Sequence, residues 1–101
     1  MGYETRFELS HDKVLDKEKL IIDLGEVTGY SWDKYLELTG KWYDHRKHME
    51  IISKRYPEVT FYLDGDGEET GDMWKSIWRN GKSDFVKAEM TFRKFDMSKL
   101  D

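Results

Sequence analysis

The stretch Met73-Trp74-Lys75-Ser76-Ile77-Trp78-Arg79-Asn80-Gly81-Lys82-Ser83-Asp84-Phe85-Val86-Lys87 decides the fold. Asn80-Gly81 sits between two alternating runs. This dipeptide is the favoured centre of a two-residue type I′ hairpin, because both turn positions need positive φ. A two-residue turn also sets the register. It pairs Arg79 with Lys82, Trp78 with Ser83, Ile77 with Asp84, Ser76 with Phe85, Lys75 with Val86 and Trp74 with Lys87. Side chains alternate across a strand, so the hairpin has two faces. One carries Met73, Ile77, Val86, Ala88, Met90 and Phe92, and its apolar character predicts a core face. The other carries Trp74, Trp78 and Phe85 among Ser76, Ser83, Lys87, Glu89 and Arg93. It is expected to seat a further layer or to form a binding surface.

Outward from the hairpin, the chain reads as alternating strands and amphipathic helices. Tyr3, Thr5, Phe7 and Leu9 oppose Glu4, Arg6 and Glu8, which predicts a half-buried strand. Leu20, Ile21, Leu24 and Val27 form a helical stripe, with Asp16 as its cap and Gly25 or Gly29 near its end, although the β-branched pair Ile21-Ile22 would also suit a strand. Over residues 34–42, Leu36, Leu38 and Trp42 alternate with Tyr35, Glu37, Thr39 and Lys41. A second helix follows, with Asp44 expected as its cap and His45, His48, Met49, Ile52 and Tyr56 on its inner or border face, and Pro57 ends it. Val59, Phe61 and Leu63 then alternate with Thr60, Tyr62 and Asp64. The order is β-α-β-α-β-β-β. The economical packing is an α+β, ferredoxin-like sandwich: an antiparallel or mixed sheet of about five strands with two helices on one face. The expected core combines Phe7, Leu36, Leu38, Ile52, Phe61, Leu63, Ile77, Met90 and Phe92.

Composition sets outer bounds. At 101 residues the chain is read as a single domain. Charged residues make up 38%, aromatics 15%, and the net charge is −4. No apolar run reaches the length of a membrane span. The N-terminus has no signal-peptide h-region, and there is no cysteine. A cytoplasmic protein is expected, monomeric or homodimeric. Mild acidity argues against bulk nucleic-acid binding but leaves room for a local basic patch.

Motifs for catalysis are sparse. Asp64, Asp66 and Glu68 match positions 1, 3 and 5 of a calcium loop, but Glu69 replaces the turn glycine and Lys75 replaces the bidentate glutamate. A solvated connection over Asp64–Asp72, free of metal, is the expectation. His45 and His48 lie three apart beside Asp44 and Glu50. Without a third ligand or an HExxH pattern they are expected to edge the helix–sheet interface. No serine sits in a GxSxG elbow, and no phosphate-cradling loop is present. A non-enzymatic protein without cofactor follows. The candidate binding residues are Trp74, Trp78, Phe85, Lys87 and Arg93, since rings among cations can stack unpaired bases or anchor a protein partner.

The segments Lys41-Trp42-Tyr43-Asp44-His45, Tyr56-Pro57-Glu58-Val59-Thr60-Phe61, Gly65-Asp66-Gly67-Glu68-Glu69-Thr70-Gly71-Asp72-Met73-Trp74 and Arg79-Asn80-Gly81-Lys82 resemble those of small phage and prophage proteins. The chain over residues 35–82 also resembles the ferredoxin-like domains of Api92/YubB-type proteins. The resemblance implies a mobile-element origin and assigns no catalytic residue. It points to an accessory or inhibitor protein that binds a host protein, such as a CRISPR or other defence component. The alternative is a module that binds single-stranded nucleic acid through the sheet aromatics.

Overall fold

A computed structural model describes residues 4–67, 73–87 and 98. The elements are β1 (Thr5–His11), α1 (Lys17–Thr28), β2 (Glu37–Gly40), α2 (His45–Arg55), β3 (Phe61–Gly67), β4 (Met73–Arg79) and β5 (Lys82–Lys87). The strands form one sheet in the order β2-β1-β3-β4-β5, and every neighbouring pair is antiparallel. The protein is therefore α+β, with five strands and two helices among the described residues. The strand order is not that of the ferredoxin-like sandwich, because β4 and β5 extend the sheet as a meander beyond β3.

The hairpin has the expected register, from Arg79↔Lys82 to Trp74↔Lys87. Asn80 and Gly81 lie at φ 46° and 79°, as a type I′ turn requires. The turn is also tethered to α2: the Gly81 N–H donates to the Oγ of buried Ser53 at 2.8 Å. In α1, Asp16 caps the first turn by accepting from the Lys19 N–H at 3.2 Å. Gly29 closes the helix at φ 76° and donates its N–H to the Gly25 carbonyl. Asp44 precedes α2, but its side chain makes no capping bond, contrary to expectation. Asp23 of α1 joins the helices by accepting from the Tyr56 hydroxyl at 2.5 Å and from Arg55 Nη1 at 3.1 Å.

Both helices bury their apolar stripes against one face of the sheet. Leu20 and Leu24 of α1 and Met49 and Ile52 of α2 join Phe7, Leu9, Phe61, Leu63 and Trp78 in a single core cluster, with Trp32, Leu36 and Trp42 from the intervening segments.

The hairpin faces are the reverse of those expected. Trp78 is only 5% exposed, whereas Met73, Ile77 and Val86 are 49%, 40% and 57% exposed. Ile77 is therefore not a core residue; Met90 and Phe92 lie outside the described residues. The register of β4 on β3 explains the reversal. Phe61, Leu63 and Gly65 face Trp78, Ser76 and Trp74, so the aromatic face of β4 continues the buried face of β3. The serine that makes this face look solvated is a buried relay. Trp78 Nε1 donates to Ser76 Oγ at 2.9 Å, and Ser76 Oγ donates to the Leu63 carbonyl at 3.2 Å.

Two boundaries also differ from expectation. The strand predicted over 34–42 is only four residues long, because Leu36 sits at φ 56°. A bulky residue rarely adopts that region. Here its side chain is buried in the core and its carbonyl accepts from the Leu9 N–H at 2.9 Å. The predicted acidic connection is in part strand, since Asp64–Gly67 completes β3; residues 68–72 lie outside the described residues.

Candidate binding surface

The sheet face opposite the helices is built by the alternate residues of all five strands. Cross-strand register arranges them in rows. One row runs Glu37, Glu8, Asp64, Lys75, Val86; a second runs Thr39, Arg6, Asp66, Met73; a third runs Ser10, Tyr62, Ile77, Asp84. Tyr62 and Ile77 are direct cross-strand partners, and Val86 lies diagonally beside Ile77. These positions interact across an antiparallel pair, so Tyr62, Ile77, Val86 and Met73 form an exposed apolar strip across β3, β4 and β5. Two shallow hollows flank Lys75. One, of about 300 Å³, is bordered by Arg6, Glu8, Asp66 and Met73. The other, of about 430 Å³, is bordered by Ser10, Tyr62, Ile77 and Asp84. Asp64 and Val86 line both.

The charges on this face are unevenly matched. Arg6 Nη2 contacts Glu8 Oε1 at 2.9 Å and Glu37 Oε1 at 3.3 Å. Asp64 and Asp66 make no ion pair among the described residues, although Lys75 stands opposite Asp64 in the register. The side with β1, β2 and β3 is therefore acidic. Arg79 and Lys82 provide positive charge at the hairpin end.

The five residues singled out from sequence are not gathered on this face, although Trp74 and Lys87 also border the hollow beside Met73. Trp74, Trp78 and Phe85 point toward the helices. Trp74 lies flat over its cross-strand partner Gly65, where a methyl group would overlap the indole ring. The His45 imidazole stacks on Trp74, with ring centres 4.6 Å apart and planes 18° apart. The Arg46 guanidinium stands 4.2 Å from the centre of the Phe85 ring. The rings are covered by α2, so this face seats a further layer instead of forming a binding surface. Lys87 is exposed at the end of β5, opposite Trp74. Arg93 lies outside the described residues.

His45 and His48 do edge the helix–sheet interface. His48 Nδ1 accepts from Trp42 Nε1 at 2.8 Å, and its ring stacks on that indole. Burial, and secondarily the charge of Arg46, holds the His45 pKa below its ordinary value. A neutral ring therefore stacks on Trp74. Its Nδ1 is buried and has no hydrogen-bond partner among the described residues. It borders a hollow of about 200 Å³ shared with Phe7, Trp42, Tyr43 and Trp74.

Among the described residues, no group of three His, Asp or Glu side chains is placed to hold a metal ion, and no helix is long and apolar enough to cross a membrane. The residues that sequence reasoning missed are Tyr62, Asp64, Asp66 and Lys75, together with Met73, Ile77 and Val86, which it assigned to the core. Their shared face is fixed only by the β3–β4 register, which no short turn specifies. Comparison with protein-family models, curated proteins and solved structures finds no match for the chain.

Proposed function

We propose that this protein acts by binding a macromolecular partner, without turnover, through the open face of its sheet. The observation that carries the reading is the exposed apolar strip of Tyr62, Met73, Ile77 and Val86 on a charged face that no described element covers. Exposed apolar clusters with a polar rim mark interaction sites, since they cost solubility when no partner covers them. The layout sets an apolar strip over β3, β4 and β5 beside charged residues of β1 and β3, the mixture that protein interfaces use. An accessory or inhibitor protein of phage type, engaging a host protein such as a defence component, needs no more than such a surface. A ferredoxin-like ancestry with a rearranged strand order is compatible with it.

The alternative, stacking of single-stranded bases on Trp74, Trp78 and Phe85, requires free ring faces. Gly65 and His45 occupy the faces of Trp74, Arg46 covers Phe85, and Trp78 is buried. The acidic rows of the open face also repel phosphate. Protein binding is thus the better-supported reading.

Affinity capture from bacterial lysate tests it, run in parallel with the parent and with Ile77→Asp and Val86→Asp, each with and without nuclease. A protein retained by the parent, lost with both variants and indifferent to nuclease supports the reading. Capture that depends on nucleic acid, or that ignores the substitutions, refutes it.

A further inference from the structure

We infer that the open face takes a cationic, apolar protein segment, one that sets lysine or arginine beside large aliphatic or aromatic side chains. This deepens the binding reading above and rests on it. Carboxylates of β2, β1 and β3 meet in one row of this face. Glu37 is directly opposite Glu8, and Glu8 is directly opposite Asp64. Like charges at directly opposed positions destabilise a sheet; Arg6 offsets Glu8 and Glu37, which leaves Asp64 without an ion pair among the described residues. Asp66 follows on the same face.

The available cations do not balance the cluster. Arg6 stands opposite Asp66 in the register, yet its guanidinium is shared between Glu8 and Glu37. Lys75 is the other cation among these rows, and Lys87 reaches the same hollow from β5; neither forms an ion pair among the described residues. The hollow beside Met73 and Val86 is apolar on one wall; Glu8, Asp64 and Asp66 line the other, and Arg6, Lys75 and Lys87 also border it, Arg6 being held by Glu8 and Glu37. A side chain that ends in a cation on an aliphatic stem fits both walls, because its stem can lie on apolar surface while its head reaches the carboxylates. The second hollow, between Tyr62 and Ile77, is suited to an apolar neighbour in the same segment. Opposite charge at an interface both selects the partner and steers its approach.

The test is panning of a random dodecapeptide display library on the parent protein, with counter-panning on Val86→Asp and Ile77→Asp. Far-UV circular dichroism checks that each variant is folded, and Val86 is the more exposed of the two positions should Ile77→Asp unfold the protein. Peptides that bind the parent and fail on the variants are expected to combine Lys or Arg with large apolar residues. A synthesised representative should bind the double variant Asp64→Asn/Asp66→Asn roughly tenfold more weakly, the combined effect of two partly exposed ion pairs. Face-dependent peptides that lack cations, or that bind the double variant unchanged, would overturn this inference and leave the binding face standing. The absence of any face-dependent peptide would overturn both. Self-association of the parent that Val86→Asp abolishes would identify a second copy as the occupant and overturn the cationic segment.

Discussion

Replacing Gly65 with alanine is the sharpest test of how the helix-side layer is assembled. Gly65 has no positive φ to excuse it, so its backbone can accept alanine. Alanine there would stabilise by about 0.4–1 kcal/mol through the reduced entropy of the unfolded chain. The obstacle is Trp74, whose indole occupies the space of the added methyl. The ring must swing away. In doing so it loses its stack on His45, its contact with Phe7 at 5.9 Å and its contact with Phe85 at 5.4 Å. Forcing a methyl into a filled site costs about 1–3 kcal/mol. Each aromatic pair contributes about 0.5–1.5 kcal/mol beyond the area it buries. The losses win, and Gly65→Ala should destabilise by about 2–3 kcal/mol. Urea unfolding followed by tryptophan fluorescence reads this as a midpoint lowered by roughly 1–3 M, for a slope of about 1–2 kcal/mol per M. With Trp74→Ala already in place the obstacle is gone, and the same substitution should be neutral or stabilising. An effect of the same sign and size in both backgrounds would refute the reasoning, because contacting residues must couple.

Gly81→Val should destabilise by about 1–3 kcal/mol, since a β-branched residue resists φ 79° and the new side chain would also displace the Lys54 stem; an unchanged urea midpoint would contradict the type I′ assignment. Trp78→Ala should cost about 3–5 kcal/mol, whereas Ile77→Ser should stay within about 1 kcal/mol because that side chain is already partly in water; the opposite ranking would restore the inverted faces. His45, whose folded-state pKa is lowered from 6.5, makes stability depend on pH. Between the two values the unfolded chain binds more protons, so stability rises with pH there. The His45 contribution is complete above about pH 6.5 and is lost as pH falls through the folded-state pKa. Subtracting the unfolding profile of His45→Phe from that of the parent should isolate this slope, and identical profiles would show that the ring is not held neutral.

Local rules carried much of the fold in the sequence itself. Asn80-Gly81 specified turn, pairing and register, because a two-residue connection leaves one geometry. Asp16 marked the start of α1 through capping chemistry and Gly29 was one of two glycines offered for its end, while the alternation of Phe7 and Leu9 marked the inner face of β1. Two features escaped because they depend on contacts distant in sequence. Which hairpin face turns inward is decided by the pairing of Gly65 with Trp74 and Leu63 with Ser76, and the connection between β3 and β4 is too long to fix it. Composition then misled: Ser76 and Lys87 made the tryptophan face look solvated, whereas Ser76 is a hydrogen-bonded relay in the core. The positive φ of Leu36, which shortens β2, has no sequence signature. The candidate surface was lost with the same inversion, as Met73, Ile77 and Val86 were grouped correctly and then placed inside.

The most direct test of the open sheet face as the working surface is photo-crosslinking in living bacteria. A benzophenone amino acid is placed singly at Val86, at Tyr62 and at Ile22, an exposed position on α1. The account predicts a discrete protein adduct of the same mass from positions 86 and 62, absent from position 22. An adduct from position 22 alone, or equal diffuse labelling from all three, would contradict it.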